Sequence, residues 1–306
     1  MNKVVTVIIA CILVLNAFGQ MNMKDSTAQV IGYWNLGDTE HYKVSLQKVR
    51  LKKADTVVNE LMTYNVDVTI IDSTANSYSI EWFYHDYKTN SSNELIKKIT
   101  SLSDDLKVVI ETDEFGAIKA VKNWKEVSVY LKESINQFKS DLNGVPSLEK
   151  LLQQIEEMYS SKYAIESAAI RDIQQFYTYH GGKYVLDEHL EFGLQLPNVY
   201  SPEKPLNSKV ILSLDELDVK DNSYVLRSSQ EVDSDELTTT TFEYLKQLAK
   251  TMKTKPPKKE DIGTLTNLTT TASRIHDTGW LIYSVQTKAV STKGVTNSEI
   301  RIIEID

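Results

Sequence analysis

Apolar and polar residues alternate along much of this chain, and the period changes in the middle third. In Tyr42-Lys43-Val44-Ser45-Leu46-Gln47 the alternation is that of a half-buried strand. It is clearest in the next run, where Met62, Tyr64, Val66, Val68 and Ile70 share one face and Thr63, Asn65, Asp67 and Thr69 the other. A third run puts Tyr78, Ile80, Trp82 and Tyr84 on one face against Ser79, Glu81, Phe83 and His85. Clean alternation over long strands predicts an antiparallel sheet with one covered face. A short helix is expected around 94–99. The strands 106–112 and 117–121 should form a hairpin turning at Asp113-Glu114-Phe115-Gly116, where glycine supplies positive φ.

From Trp124 the apolar positions Val127, Leu131, Ile135 and Phe138 recur every three or four residues, as on one helix face. Asn143-Gly144 ends that helix and Pro146 opens a second, with Leu148, Leu151, Leu152, Ile155 and Met158 as its stripe. A third helix is predicted over 164–179. Strands are expected again at 184–196, 209–217 and 223–232, a helix at 235–253, and strands near 264–275, 280–291 and 298–305. The two β regions share an order. Asn76-Ser77-Tyr78 and Asn222-Ser223-Tyr224 each open a strand, a helical segment follows, and hairpins turn at Asp113-x-x-Gly116 and His276-Asp277-Thr278-Gly279. Internal duplication and independent use of common turn residues both explain this order.

The reading is an α+β fold, with long-stranded curved antiparallel sheets packed on helices and two β halves, readable as a duplication, joined by a helical segment. Residues 1–19 form a leader, 20–36 a loose N-terminus, 37–122 the first β half, 123–182 the helical segment and 183–306 the second β half with one helix.

The leader rests on its own pattern. Lys3 precedes an apolar run from Val4 to Leu15 broken only by Thr6, and Ala17-Phe18-Gly19 places small residues at −3 and −1 of a cleavage site. The run is shorter than the roughly 20 residues that span a bilayer. Export to the periplasm or cell surface of a Gram-negative bacterium is therefore expected, with no transmembrane segment. Ile8-Ile9-Ala10-Cys11 has some likeness to a lipoprotein acylation box, but the apolar run continues past Cys11, where a lipoprotein turns polar.

Cys11 is the only cysteine, so cleavage after Gly19 leaves none and removes disulfides and thiolate chemistry. Loss of Lys3 leaves 33 basic against 42 acidic residues, a formal charge of −9, which argues against nucleic acid as a partner. The one basic stretch, Lys250 to Lys259, reads as a solvated loop or as a contact for anionic lipid heads.

Catalytic motifs are missing: there is no Gly-x-Ser-x-Gly, no phosphate loop and no His-Glu-x-x-His. His41, His85, His180, His189 and His276 are scattered. Asp187, His189 and Glu191 would share one face of a strand, which makes a metal site geometrically possible, although a wet strand face explains the same residues. Asp104-Asp105 and Asp113-Glu114 fall in expected turns, and Asp215-Glu216-x-Asp218 lacks the glycine and distal Glu of a calcium loop. No catalytic residue, cofactor or metal is assigned. The aromatic row Tyr64, Tyr78, Trp82 and Tyr84 fits either a filled core or the lining of an apolar cavity between sheet and helices.

Gly37-Asp38 followed by Tyr42-Lys43, with the Asp113-x-x-Gly116 hairpin followed by Asn123 and Trp124, resembles the pattern of a broad group of uncharacterised secreted bacterial proteins. That resemblance implies a curved antiparallel sheet wrapped over helices, similar to the lipoprotein-carrier (LolA/LolB-like) half-barrel. It covers most of the mature chain by element order and carries no catalytic residue. The helical segment 124–180 is larger than the carrier pattern. The functional expectation is an exported non-enzymatic binding protein holding a lipid or other apolar small molecule between sheet and helices. The alternatives are a structural or interaction protein with a filled core and a protein partner, and an enzyme with an unrecognised site.

Overall fold

The computed structural model describes residues 20–306 apart from 54, 142–145, 199 and 202. The leader, Cys11 and the Asn143-Gly144 turn lie outside the described residues. In chain order the strands are β1 (Met21–Asn22), β2 (Thr27–Gln29), β3 (Thr39–Lys52), β4 (Asp55–Thr74), β5 (Ser77–Thr89), β6 (Lys107–Asp113), β7 (Ile118–Val121), β8 (Lys183–Val185), β9 (His189–Leu196), β10 (Leu206–Asp218), β11 (Ser223–Val232), β12 (Thr266–His276), β13 (Leu281–Thr292) and β14 (Val295–Ile305). The helices are α1 (Glu94–Thr100), α2 (Trp124–Asp141), α3 (Pro146–Met158), α4 (Lys162–Ala164), α5 (Arg171–Phe176), α6 (Ser234–Thr251) and α7 (Lys259–Ile262).

Eleven strands form one antiparallel sheet in the order β7-β6-β5-β4-β3-β14-β13-β12-β11-β10-β9, curved around the helices α2 to α5. The two expected β halves are therefore joined by a strand seam as well as by the helical segment. β3 and β14 pair from Tyr42↔Ile305 to Lys52↔Val295. The shared element order is present in space too. β5-α1-β6-β7 and β11-α6-β12-β13 run in the same direction across the sheet. Their helices start alike, with Asn93 capping the Leu95 N–H and Asp233 capping the Glu236 N–H. Both hairpins turn on a positive-φ glycine, Gly116 at +92° and Gly279 at +86°.

Alternation works as the sequence implies on the concave face. Tyr42 and Val44 of β3, Tyr64, Val66, Val68 and Ile70 of β4, and Ile80, Trp82 and Tyr84 of β5 are buried in one core. Ile173, Phe176, Tyr177 and Tyr179 cover them from the helical segment. Asn123 locks the base of α2 to the sheet, its side chain accepting from the Val109 N–H and donating to the Lys107 carbonyl.

Three expectations change. The segment 20–36 is not loose: Gln20, Ala28, Val30 and Trp34 are buried. Its backbone bonds to distant turns, Val30 N–H to the Gly182 carbonyl, Gly32 N–H to that of Phe115 and Tyr33 N–H to that of Thr278. Residues 30–34 thus strap the ends of both hairpins together. A Cβ at Gly279 would stand 2.3 Å from the Ile31 carbonyl oxygen, so glycine is needed there for contact as well as for φ. The predicted helix 164–179 is broken into α4, a wide π-turn at Ile165–Ala169, and α5. Ile165 and Ile170 are both buried, yet five residues place them about 140° apart on a regular helix. The wider turn and the non-helical Ile170 (φ −101°, ψ 43°) bring both to the core. The predicted strand 184–196 is split by Asp187 at φ +63°, sending β8 into a small sheet with β1 and β2 and β9 to the edge of the large one.

Candidate functional site

Strands of up to 20 residues are longer than the helices above them. The concave face is consequently filled at one end and open at the other.

At the filled end stand the four aromatics singled out in the sequence, Tyr64, Trp82 and Tyr84 buried and Tyr78 half-buried. The Tyr64 hydroxyl donates to Asp172 Oδ2 at 3.0 Å and that of Tyr84 to Asp172 Oδ1 at 3.2 Å. Tyr87 stacks on Tyr64 with ring centroids 4.6 Å apart. Trp82 meets Phe176 edge-on at 5.2 Å. Tyr78, half-buried, donates to the Gly32 carbonyl at 3.0 Å and packs edge-on against Trp34 at 5.2 Å. The contacts of this row are thus with side chains and backbone of the chain itself. Burial, and then the neighbouring Asp172 carboxylate, push the Tyr64 and Tyr84 hydroxyls well above the usual phenol range. Tyr159, half-buried near the same carboxylate, is raised to about 12, by burial first and then by Asp172.

His180 sits where strap and hairpins meet, tilted against Trp34 with ring centroids 5.7 Å apart. Its Nε2 lies 2.8 Å from the Gly279 carbonyl oxygen, which fixes Nε2 as the protonated nitrogen, while Nδ1 has no partner among the described residues. Burial depresses its pKa to about 4. A polar belt follows along the groove. Gln175 donates to Ser284 Oγ at 2.9 Å and to the Arg301 carbonyl at 3.3 Å, and Ser273 donates to Ser284 at 2.8 Å.

Beyond that belt the same rows of the sheet turn charged. On β3 the inward positions after Leu46 are Lys48 and Arg50, on β4 those before Met62 are Glu60 and Val58, and on β14 Ile303 gives way to Arg301, Glu299 and Asn297. Register aligns Glu60, Lys48, Glu299 and Lys288 across four neighbouring strands. They border a recess of about 320 Å³ together with Arg50, Val58, Val290 and Asn297. Glu299 already holds two arginines, Arg301 at 3.1 Å and Arg171 at 3.6 Å. Among the described residues Lys48, Arg50 and Lys288 have no ion-pair partner within 4 Å. Burial in the recess, and then the charge of Arg171, lower the Lys288 pKa. Five cations here face two carboxylates. The sequence reading missed this region, although the signal was present: the apolar alternation of β3 continues in phase as Lys48 and Arg50.

The other expected clusters have structural roles. Asp187 stands in a turn, so Asp187, His189 and Glu191 do not share a strand face. No group of three or more His, Cys, Asp or Glu side chains is arranged to hold a metal among the described residues. Asp113 accepts the Phe115 and Ala117 N–H groups of its turn. Asp215 pairs with Arg227, and Glu216 and Asp218 pair with Arg274. On the convex face Asp67 Oδ1 lies 2.6 Å from His41 Nδ1 and 3.4 Å from His85 Nε2. Partial burial acts to lower the His85 pKa, but hydrogen bonds to Asp86 and Asp67 outweigh it and raise the pKa. No helix among the described residues is long and apolar enough to cross a membrane.

No family model and no curated protein matches the chain. Among solved structures it is similar to lipovitellin, described for its lipid–protein interactions, at 8% identity and a TM-score of 0.38; the match covers 89% of this chain and spans a quarter (25%) of that one. It is also similar to a protein with a YmcC-like fold from Bacteroides fragilis NCTC 9343, at 6% identity and a TM-score of 0.25, covering 91% of this chain and 100% of the other. An outer membrane channel from Pseudomonas putida F1 gives 8% identity and a TM-score of 0.17, covering 90% and 98%.

Proposed function

We propose that this protein is an exported, non-enzymatic binding protein that holds an amphiphile with an anionic head in the open half of its concave sheet face. The observation that carries the reading is the recess of about 320 Å³ in which Lys48, Arg50 and Lys288 lie without ion-pair partners beside Val58 and Val290. That volume is at the lower end of small-molecule sites. Cations set side by side along this exposed recess repel one another, and an anionic group placed among them relieves that repulsion. The leader pattern supports export, and the carrier resemblance agrees with a ligand held between sheet and helices. The ligand's place in this reading is the charged end of the groove, not the aromatic row of Tyr64, Tyr78, Trp82 and Tyr84.

Titration calorimetry with laurate and with dodecyltrimethylammonium tests it. Laurate is expected to bind and the cationic detergent to bind at least about tenfold more weakly, a difference of about 1.4 kcal/mol. The triple variant Lys48→Ala, Arg50→Ala, Lys288→Ala should lose laurate binding while keeping its melting temperature. Equal binding of the two chain types, or laurate binding unchanged in the triple variant, refutes the anionic site. The packed interior favours a second reading, an interaction protein with no small ligand; absence of heat with both amphiphiles would select it.

A further inference from the structure

The two edges of the large sheet are finished differently. At one edge β7 is four residues long, and its Val121 N–H donates to Glu166 Oε1 at 2.8 Å, so part of the ladder is already satisfied. At the other edge β9 runs for eight residues, pairs among the described residues only with β10, and is exposed at every position but Leu196. Its concave side presents Leu190, Phe192 and Leu194 at 47%, 42% and 45% exposure. Its convex side carries His189, Glu191, Gly193 and Gln195, with Glu191 neutralised by Lys209 at 2.8 Å. Soluble proteins blunt such edges with charge, proline or short length, because unpaired strand backbone recruits another strand.

Gly193 points the same way. Its φ is not positive, and a Cβ there would meet only the Ser208 carbonyl oxygen at 3.8 Å, an ordinary contact. Nothing in the fold itself needs a glycine in the middle of this strand. Glycine inside a strand suits a place where another backbone comes close.

We propose that β9 pairs antiparallel with β9 of a second copy of this chain, about a two-fold axis through Gly193. The strand is self-complementary in that register. Phe192 lies opposite the partner's Leu194 and Leu190 opposite the partner's Leu196, both on the concave side. Glu191 lies opposite the partner's Gln195, so no like charges meet. Pro197, which has no N–H to give, ends the ladder at both rims. Shifting the axis to Phe192 would set Leu196 against the partner's Glu188 and lose that match. The pairing is isologous and closes at two copies, joining two concave faces into one longer surface.

Light scattering after size exclusion, on the chain from Gln20 to Asp306, which has no cysteine, tests this. A dimer mass is expected at about 100 µM, since a single strand pair makes a small interface. Phe192→Lys, on an exposed position, should give a monomer with an unchanged melting temperature. Gly193→Cys, then the sole cysteine, should form an intersubunit disulfide with oxidised glutathione, while Lys119→Cys on the β7 edge should not. A monomeric unsubstituted protein overturns the proposal. So does a dimer that persists in Phe192→Lys, or one in which Gly193→Cys gives no disulfide.

Discussion

The two ends of the concave face are built on the same strands yet solve different problems. At the filled end, buried side chains from β3, β4 and β5 meet Phe176, Tyr177 and Asp172, and a polar atom placed there is out of reach of bulk water. At the open end the same inward rows carry Lys48, Arg50, Glu60 and Lys288, whose heads stay in water. The difference shows that the length of a strand and the length of the core it serves are separate quantities. β4 extends well past Tyr64, and what it does there need not stabilise anything.

Stability measurements on the two ends should diverge most at Trp82. Trp82→Ala removes a fully buried indole from beneath Phe176 and is expected to cost about 3–5 kcal/mol in urea unfolding. Lys48→Ala and Lys288→Ala together should stay within about 0.5 kcal/mol of the parent. Comparable losses at both ends would break the distinction.

Acid sharpens it further. Burial holds the folded His180 pKa at about 4, below its ordinary 6.5, so the unfolded chain takes up this proton first. The associated stability is present above pH 6.5 and is lost as pH falls through 4, in all about 3 kcal/mol. Urea midpoints measured from pH 7 to 4 should therefore fall in the parent, and His180→Gln should lack that part of the slope. A smaller effect is expected at Asp172. Asp172→Ala leaves the Tyr64 and Tyr84 hydroxyls without their acceptor and should cost about 1–3 kcal/mol, again read from urea midpoints. If that substitution is neutral, the filled end tolerates unpaired hydroxyls more readily than its packing implies.

Much of the sheet was legible because one face of each long strand is covered, which forces a period of two that survives in Met62 to Ile70 and Tyr78 to Tyr84. The strap at 30–34 was not. It is held by backbone bonds to Phe115 and Thr278, and such bonds leave no trace in side-chain pattern. The break at Ile170 was hidden for a related reason: a π-turn shifts the burial phase without any glycine or proline to mark it. For the aromatic row the period of two gives the inward direction and leaves open what the rings meet there. Whether an inward side chain meets solvent or protein depends on where α5 lies, and Tyr64 does not encode that. Lys48 and Arg50 are hidden because they keep the phase of the β3 apolar row while changing its chemistry, so the apolar pattern stops at Leu46 although the face continues.

The seam between β3 and β14 places the first long strand of the chain against the last, some 250 residues away, at the middle of the sheet. A chain emerging from its N-terminus can assemble β3 to β7 early, but one flank of β3 stays bare until Ile305 has arrived. Completion of the sheet thus waits for β14, and the interval before it is when the chain is most open to pairing with the wrong strand.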